Sequence, residues 1–330
     1  MKVAMFSSKP YDREYFVKHN RDYSFELDFF DDQLNETTVA IAAKYEAVCV
    51  FVNDRLNKQV LTQLSQGKTQ FIALRCAGYN NLDWHSAKEL KLRCARVPDY
   101  SPTAVAEHVL AMLLTLYRST HKAYNRVKEG NFSLYGLNGQ EVRGKTVALV
   151  GTGKIGKLTA EIFKGLGCEL YAYDIQPDHS WANSIGLTYI DLPELYAKAD
   201  IISLHCPLTD TNRHMINAES LAQMKPGVTL INTSRGGLVD TEAAYQALKD
   251  RTLGYLAIDV YEEEANLFFE DLSTDIIMDD LFMRLTTFPN VLVTGHQGFF
   301  TEHALNNIAR TTLENLAAMK SNQKCVGDIV

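Results

Sequence analysis

Gly151-Thr-Gly-Lys-Ile-Gly156 lies near the middle of the 330-residue chain, between a strand-like run and a helix-like run. Residues 145–150 before it are short, apolar and β-rich. After it, Ile155, Leu158, Thr159, Ile162, Phe163 and Leu166 recur at helical spacing, and Gly167 can close the helix. A second apolar run, residues 168–173, ends in Asp174. Strand, glycine turn, helix, strand and acid follow in the order a dinucleotide site requires. The glycines let the backbone turn tightly and approach a pyrophosphate, whose charge a helix N-terminus favours. Asp174 can accept hydrogen bonds from a ribose hydroxyl and would repel a 2′-phosphate, so the expected cofactor is NAD rather than NADP. A glycine turn alone carries little weight; the whole βαβ unit with its acid carries the argument.

Because this motif is central, another domain must precede it. Apolar runs at residues 2–6, 25–29, 47–51, 71–74 and 92–97 alternate with helical patterns, which predicts a small parallel sheet with helices on its faces. Ser101-Pro102 then suits a helix start. The pattern stays helical to about Arg126, with Val105, Val109, Met112, Leu113, Leu116 and Tyr117 on one broad face. A helix of roughly 35 Å could link two domains, form a subunit interface or bury itself in its own domain. The dinucleotide unit starts near Gly144, with further strands at residues 200–204, 228–232, 255–258 and 291–294. A last helix opens at Thr301 and runs to about Ser321, and it can fold back to complete the first domain. The expected fold is therefore α/β: two doubly wound parallel-sheet domains with a cleft between them, a Rossmann-type NAD domain over 101–298 and a smaller flavodoxin-like substrate domain over 1–100 plus 299–330.

With a net charge of −7, nucleic acid and anionic membranes are poor partners. The apolar stretch 104–117 carries Glu107 and His108 and is no membrane span. The six cysteines are scattered without a CxxC pair, and the nine histidines form no HExxH, so the reading is a cytoplasmic protein with reduced thiols and no metal site.

Ligands of open parallel sheets bind beyond the carboxyl ends of the strands. Residues there are Asp174, His205-Cys206-Pro207, Thr233-Ser234-Arg235, Asp259 and Gly295-His296. Arg235 is either a carboxylate anchor or a surface arginine at a turn, and a lone histidine such as His296 is more often structural than catalytic. Glu264 belongs to an acidic triplet of the kind that usually faces solvent. Together they suit one chemistry. Reduction of a 2-oxo acid needs a cation for the substrate carboxylate and an acid for the carbonyl oxygen, which arginine and histidine provide. A carboxylate beside that histidine would orient the ring and keep it protonated.

Arg75-Cys-Ala-Gly-Tyr-Asn-Asn81, Tyr100-Ser-Pro-Thr-Ala-Val-Ala-Glu-His108, the Gly151 loop, His205-Cys-Pro-Leu-Thr209, Ile231-Asn-Thr-Ser-Arg-Gly-Gly237, Asp259-Val-Tyr-Glu-Glu-Glu264 and Thr294-Gly-His-Gln-Gly-Phe-Phe-Thr301 occur in this order. In these segments the chain resembles the D-isomer-specific 2-hydroxyacid dehydrogenases over nearly its whole length, the D-lactate dehydrogenases among them most closely. The resemblance implies a catalytic set of Arg235, Glu264 and His296. It implies substrate contacts from the backbone of Ala77 and Gly78 and from Tyr100, Arg235 and Phe299. For the cofactor it implies Gly151, Gly153, Lys154, Ile155, Gly156, Asp174, Cys206, Pro207, Asn212, Thr233, Ser234, Arg235 and Asp259. The implied reaction is NADH-dependent, reversible reduction of pyruvate to D-lactate by a dimer or tetramer. A larger 2-oxo acid as substrate stays open. So does an NAD-sensing regulatory scaffold, since the resemblance extends to the C-terminal binding protein corepressors. A phosphoglycerate dehydrogenase fits less well, because no regulatory domain follows the core and no basic cluster awaits a phosphate.

Overall fold

The computed structural model describes residues 1–330, Asn266 by its backbone alone. Its chain divides into two compact units, Met1–Ser101 with Phe299–Val330, and Pro102–Gly298.

The first unit holds a five-stranded parallel sheet of β1 (Lys2–Met5), β2 (Glu26–Phe29), β3 (Ala47–Val50), β4 (Phe71–Leu74) and β5 (Arg93–Arg96). Its order, β2-β1-β3-β4-β5, is that of the flavodoxin-like doubly wound fold. β3 is buried along its whole length, as a continuous apolar run in a parallel sheet should be. One face is covered by the helix Glu302–Lys320, whose Ala309, Leu313, Leu316 and Met319 pack with Val3, Met5, Cys49 and Ala73. Thr301 caps that helix by accepting the Ala304 amide at 3.2 Å. The chain's last residues then pair with the edge strand β5: the Arg96 amide donates to the Gly327 carbonyl and the Ile329 amide to the Cys94 carbonyl.

The second unit holds a seven-stranded parallel sheet in the order β12-β11-β10-β9-β6-β7-β8. The strands are β6 (Thr146–Val150), β7 (Glu169–Tyr173), β8 (Leu187–Tyr189), β9 (Ile201–Leu204), β10 (Val228–Asn232), β11 (Leu253–Ile258) and β12 (Val291–Val293). Sheet order reverses at β6 and β9, and in such sheets the switch point carries the ligand crevice. β8, a three-residue edge strand, has no counterpart in the sequence reading.

The single long connector is corrected. The helix runs Pro102–Arg118, Ser119 turns left-handed at φ 49°, and a second helix spans Thr120–Lys128. Val109, Met112, Leu113, Leu116 and Tyr117 lie in the second unit's own core with Val147, Leu149, Ala160 and Phe163. Beyond Tyr117 the chain leaves that core, and no side chain of Thr120–Lys128 is buried. Nothing in the core holds the two helices in one line.

Candidate active site

Sterics shape the glycine loop. At the end of β6, Gly151 takes φ 98°, and an added Cβ would lie 2.8 Å from the His205 carbonyl and the Cys206 nitrogen. Gly156, in the first helical turn, abuts the Gly151 carbonyl so closely that no Cβ fits. Gly153 caps the helix Lys154–Gly165 without a side chain that could occupy the first-turn amides. At the end of β7, Asp174 accepts the Thr152 amide at 2.6 Å and the Thr152 hydroxyl at 2.9 Å on one oxygen, and the Gln176 amide at 2.9 Å on the other. Burial opposes its ionisation, but these donors outweigh it and hold the carboxyl below the usual range. A backbone cradle that excludes a Cβ, an open helix N-terminus and an ionised acid one strand away fit a dinucleotide.

The opposite wall comes from the ends of β9 and β10. Asn212 donates to the Pro207 carbonyl at 2.8 Å, and the Ser234 hydroxyl donates to the Cys206 carbonyl at 3.0 Å. Burial pushes the Cys206 thiol up to about 11, so it presents a neutral group. The Thr233 hydroxyl is buried without a hydrogen-bond partner among the described residues, an orphan that a ligand amide could satisfy. His205, expected at the ligand edge, instead turns back to the Ser203 hydroxyl at 2.9 Å.

Arg235, Glu264 and His296 all belong to the second unit. The Arg235 guanidinium donates to the Ser234 carbonyl at 2.6 Å and meets no carboxylate among the described residues. Gly236 lies against the Tyr261 carbonyl and the Glu262 nitrogen, so the arginine turn and the acidic turn touch backbone to backbone. One Glu264 oxygen accepts the Tyr261 amide at 2.8 Å; the other lies 2.9 Å from His296 Nδ1. The two side chains are 20% and 18% exposed, so solvent screens the pair only in part. With Nδ1 engaged by the carboxylate, Nε2 is the nitrogen left to exchange a proton with a substrate. His296 itself is left-handed at φ 54°.

Asp259, expected to line the cofactor groove, is 2% exposed and serves the histidine loop. It accepts the Thr294 hydroxyl at 2.5 Å and the Gln297 and Gly298 amides at 2.8 Å, bracketing His296 on both sides. His108 Nε2 lies 3.3 Å from the same carboxylate and 3.1 Å from the Thr294 hydroxyl. Burial works against the charge on Asp259; His108 and Thr294 more than restore it, and the carboxyl sits low. His108 and Thr294 were missed from sequence, although His108 shares a helix face with Val105 and Met112. Phe269, whose ring lies 5.7 Å from that of His296, was also missed.

Ala77, Gly78, Tyr100 and Phe299 belong to the first unit. The Ala77 carbonyl accepts from Arg96 at 2.6 Å, and the Cys76 thiol lies 3.2 Å from the Gly78 carbonyl, which fixes the 76–78 turn. Phe299 packs against Tyr100 and Phe51, with centroids 6.1 and 5.9 Å apart.

Known proteins share this chain's sequence and fold. The D-isomer specific 2-hydroxyacid dehydrogenase, NAD binding domain, matches residues 110–298. The D-lactate dehydrogenase of Escherichia coli strain K12 is 49% identical over 330 residues, all of both chains. The apo structure of the Escherichia coli enzyme superposes with a TM-score of 0.90 at 47% identity, covering 100% of each chain. The structure of the pyruvate reductase of Chlamydomonas reinhardtii gives 0.92 at 41% identity, covering 99% of this chain and 98% of the other. The chain belongs to the D-isomer-specific 2-hydroxyacid dehydrogenase family. It is an NAD-dependent oxidoreductase acting on a small hydroxy or oxo acid.

Proposed function

We propose that the chain is a D-lactate dehydrogenase that reduces pyruvate to D-lactate and runs the reverse reaction. The observation that carries the reading is the His296–Glu264 pair, 2.9 Å apart, one backbone contact away from the Arg235 turn. The names of two similar proteins, a D-lactate dehydrogenase and a pyruvate reductase, support pyruvate as the substrate.

When bound, NADH supplies the hydride that adds to the carbonyl carbon. Arg235 grips the substrate carboxylate with its planar fork, with help from the Ala77 and Gly78 amides. His296 gives its Nε2 proton to the carbonyl oxygen as charge develops there, and takes it back from the hydroxyl in the reverse direction. Glu264 orients the ring through Nδ1. Tyr100 and Phe299 limit the substrate side chain. Gly151, Gly153, Gly156 and the Lys154 and Ile155 amides receive the pyrophosphate, and Asp174 the adenosine ribose. Cys206, Pro207, Asn212, Thr233 and Ser234 line the nicotinamide side, with Arg235 at its end; Asp259 reaches it through the His296 loop. In this reading the Pro102–Gly298 unit is the NAD domain and the other unit the substrate domain.

We further propose a homo-oligomer in the cytoplasm. Tyr124, Val127, Phe132, Leu134 and Tyr135 are 51–91% exposed on one short stretch of chain, more apolar surface than a monomer comfortably leaves to water. All six cysteines are free, which suits a reducing compartment. No helix among the described residues is long and apolar enough to cross a membrane.

The test is kcat/KM for pyruvate, 2-oxoisocaproate and phenylpyruvate with NADH, followed by absorbance, with product chirality assayed. Pyruvate should lead and the product should be D-lactate. A lead for a larger acid would displace pyruvate, and inertness toward all three would leave the scaffold reading.

A further inference from the structure

We propose that Phe269 is a positioning residue for catalysis: its ring braces the His296 imidazole, and the left-handed backbone at both residues serves to bring the two rings together. This rests on the acid–base role given above to His296.

Phe269 has φ 70° and His296 φ 54°. A bulky aromatic residue is the kind least suited to that region, so such a conformation persists only where its surroundings impose it. The neighbouring side chain does the imposing. Phe268 is 6% exposed and seated in a small core with Tyr261 and Phe282, its ring 6.0 Å from that of Phe282. Tyr261 is tied there by its hydroxyl, which donates to Asp279 at 2.7 Å. The turn between is closed by the Leu267 and Phe268 amides, which donate to the Glu264 carbonyl at 3.0 and 2.9 Å. With Phe268 held in this core, the left-handed turn at the next residue sends the Phe269 ring to His296, at 5.7 Å and a tilt of 38°.

The same turn therefore delivers two groups to one imidazole. Glu264, at its start, holds Nδ1 at 2.9 Å. Phe269, five residues on, packs against the ring. Glu264 alone leaves the imidazole free to swing about the Nδ1 hydrogen bond; an aromatic neighbour removes that freedom. Proton transfer demands Nε2 within hydrogen-bond reach and well aligned, so the loss of this brace should appear in the chemical step and leave binding largely intact.

The experiment uses the purified full chain with NADH and pyruvate. Phe269→Ala and Phe269→Gly should lower kcat about tenfold or more, with KM for pyruvate and the NADH dissociation constant changing less than about threefold. The solvent deuterium isotope effect on kcat should rise in both as proton transfer slows. Phe269→Tyr, which keeps the ring, should retain kcat within about threefold. Glycine separates the ring from the strain: at φ 70° it relaxes the backbone, so Phe269→Gly should melt no lower than Phe269→Ala yet be just as slow. Wild-type kcat in the glycine variant, a loss confined to KM, an unmoved isotope effect or failure of tyrosine to retain activity would each overturn the proposal. Wild-type inertness toward 2-oxo acids, or full activity of His296→Gln, would instead remove the acid–base reading beneath it.

Discussion

Two adjacent glycines offer a sharp test of the site, because they share chemistry and differ only in what surrounds them. Neither Gly236 nor Gly237 is left-handed, so alanine meets no conformational penalty of that kind at either. A Cβ on Gly236 would fall closer than 3.0 Å to the Tyr261 carbonyl carbon and oxygen and to the Glu262 nitrogen, all backbone. Carbon contacts are comfortable from about 3.5 Å, so the arginine and acidic turns must part by on the order of 1 Å. A Cβ on Gly237 would meet the Leu208 Cδ2 methyl at 3.0 Å and the Arg213 Nη1 at 3.3 Å, the far ends of side chains that can move. Misplacing a catalytic group by about 1 Å costs roughly 10²-fold, or ~2.7 kcal/mol of transition-state stabilisation. Overpacking should also cost about 1–3 kcal/mol of stability. Gly236→Ala should thus lose about 10²-fold in kcat/KM for pyruvate, while NADH affinity, set largely at the Gly151 loop, changes little. Gly237→Ala should stay within about threefold of wild type. Stopped-flow reduction, fluorescence titration of NADH and a thermal melt read the three quantities. Equal damage from the two substitutions, or normal turnover in Gly236→Ala, would refute the coupling of Arg235 to Glu264 through that contact.

Four further expectations are simpler. Arg235→Lys should lose about 10²-fold in kcat/KM, since an ammonium cannot make the bidentate contact; near-normal values would remove the anchor role. Glu264→Leu should lower kcat for pyruvate reduction about tenfold or more, because the partner that holds Nδ1 is gone; a normal kcat would take Glu264 out of the mechanism. Asp174→Ala should relax the preference for NADH over NADPH by roughly tenfold, with the ratio of kcat/KM as the measure; unchanged discrimination would mean another group reads the ribose. Burial pushes His205 down to about 4. The unfolded chain takes up that proton from about pH 6.5 downward, so this contribution is complete above 6.5 and is lost as pH falls toward 4. At ~1.4 kcal/mol per unit it reaches at most about 3 kcal/mol, less because the residue keeps some accessible surface. Urea titrations at pH 7 and 4.5 should show this loss in wild type and a smaller one in His205→Asn; equal losses would refute it.

The parallel strands were legible because each is a short apolar run bounded by turn residues, and Thr146–Val150 with its glycine loop announced the NAD domain. The edge strand Leu187–Tyr189 escaped because three residues, one of them exposed, carry no usable period. The break at Ser119 escaped because serine is no helix breaker; the core releases the helix there. In the candidate site, residues following an apolar run were found. What lay beyond reach was orientation: His205 turning inward, Asp259 buried beneath the histidine loop, and Phe269 sent toward His296 by a backbone conformation that no phenylalanine advertises.

The interleaving of the two units has a consequence for biosynthesis. The five strands of the first unit leave the ribosome early, but the helix Glu302–Lys320 that shields one face, and the tail that pairs with β5, come more than two hundred residues later. At about 5–20 residues per second, the nascent sheet waits roughly 10–40 s with Val3, Met5 and Cys49 lacking that cover. The unit encoded second is one unbroken segment and can fold first, so the order of maturation runs opposite to the order of translation, and the early strands are the stretch where a trigger-type chaperone has most to protect.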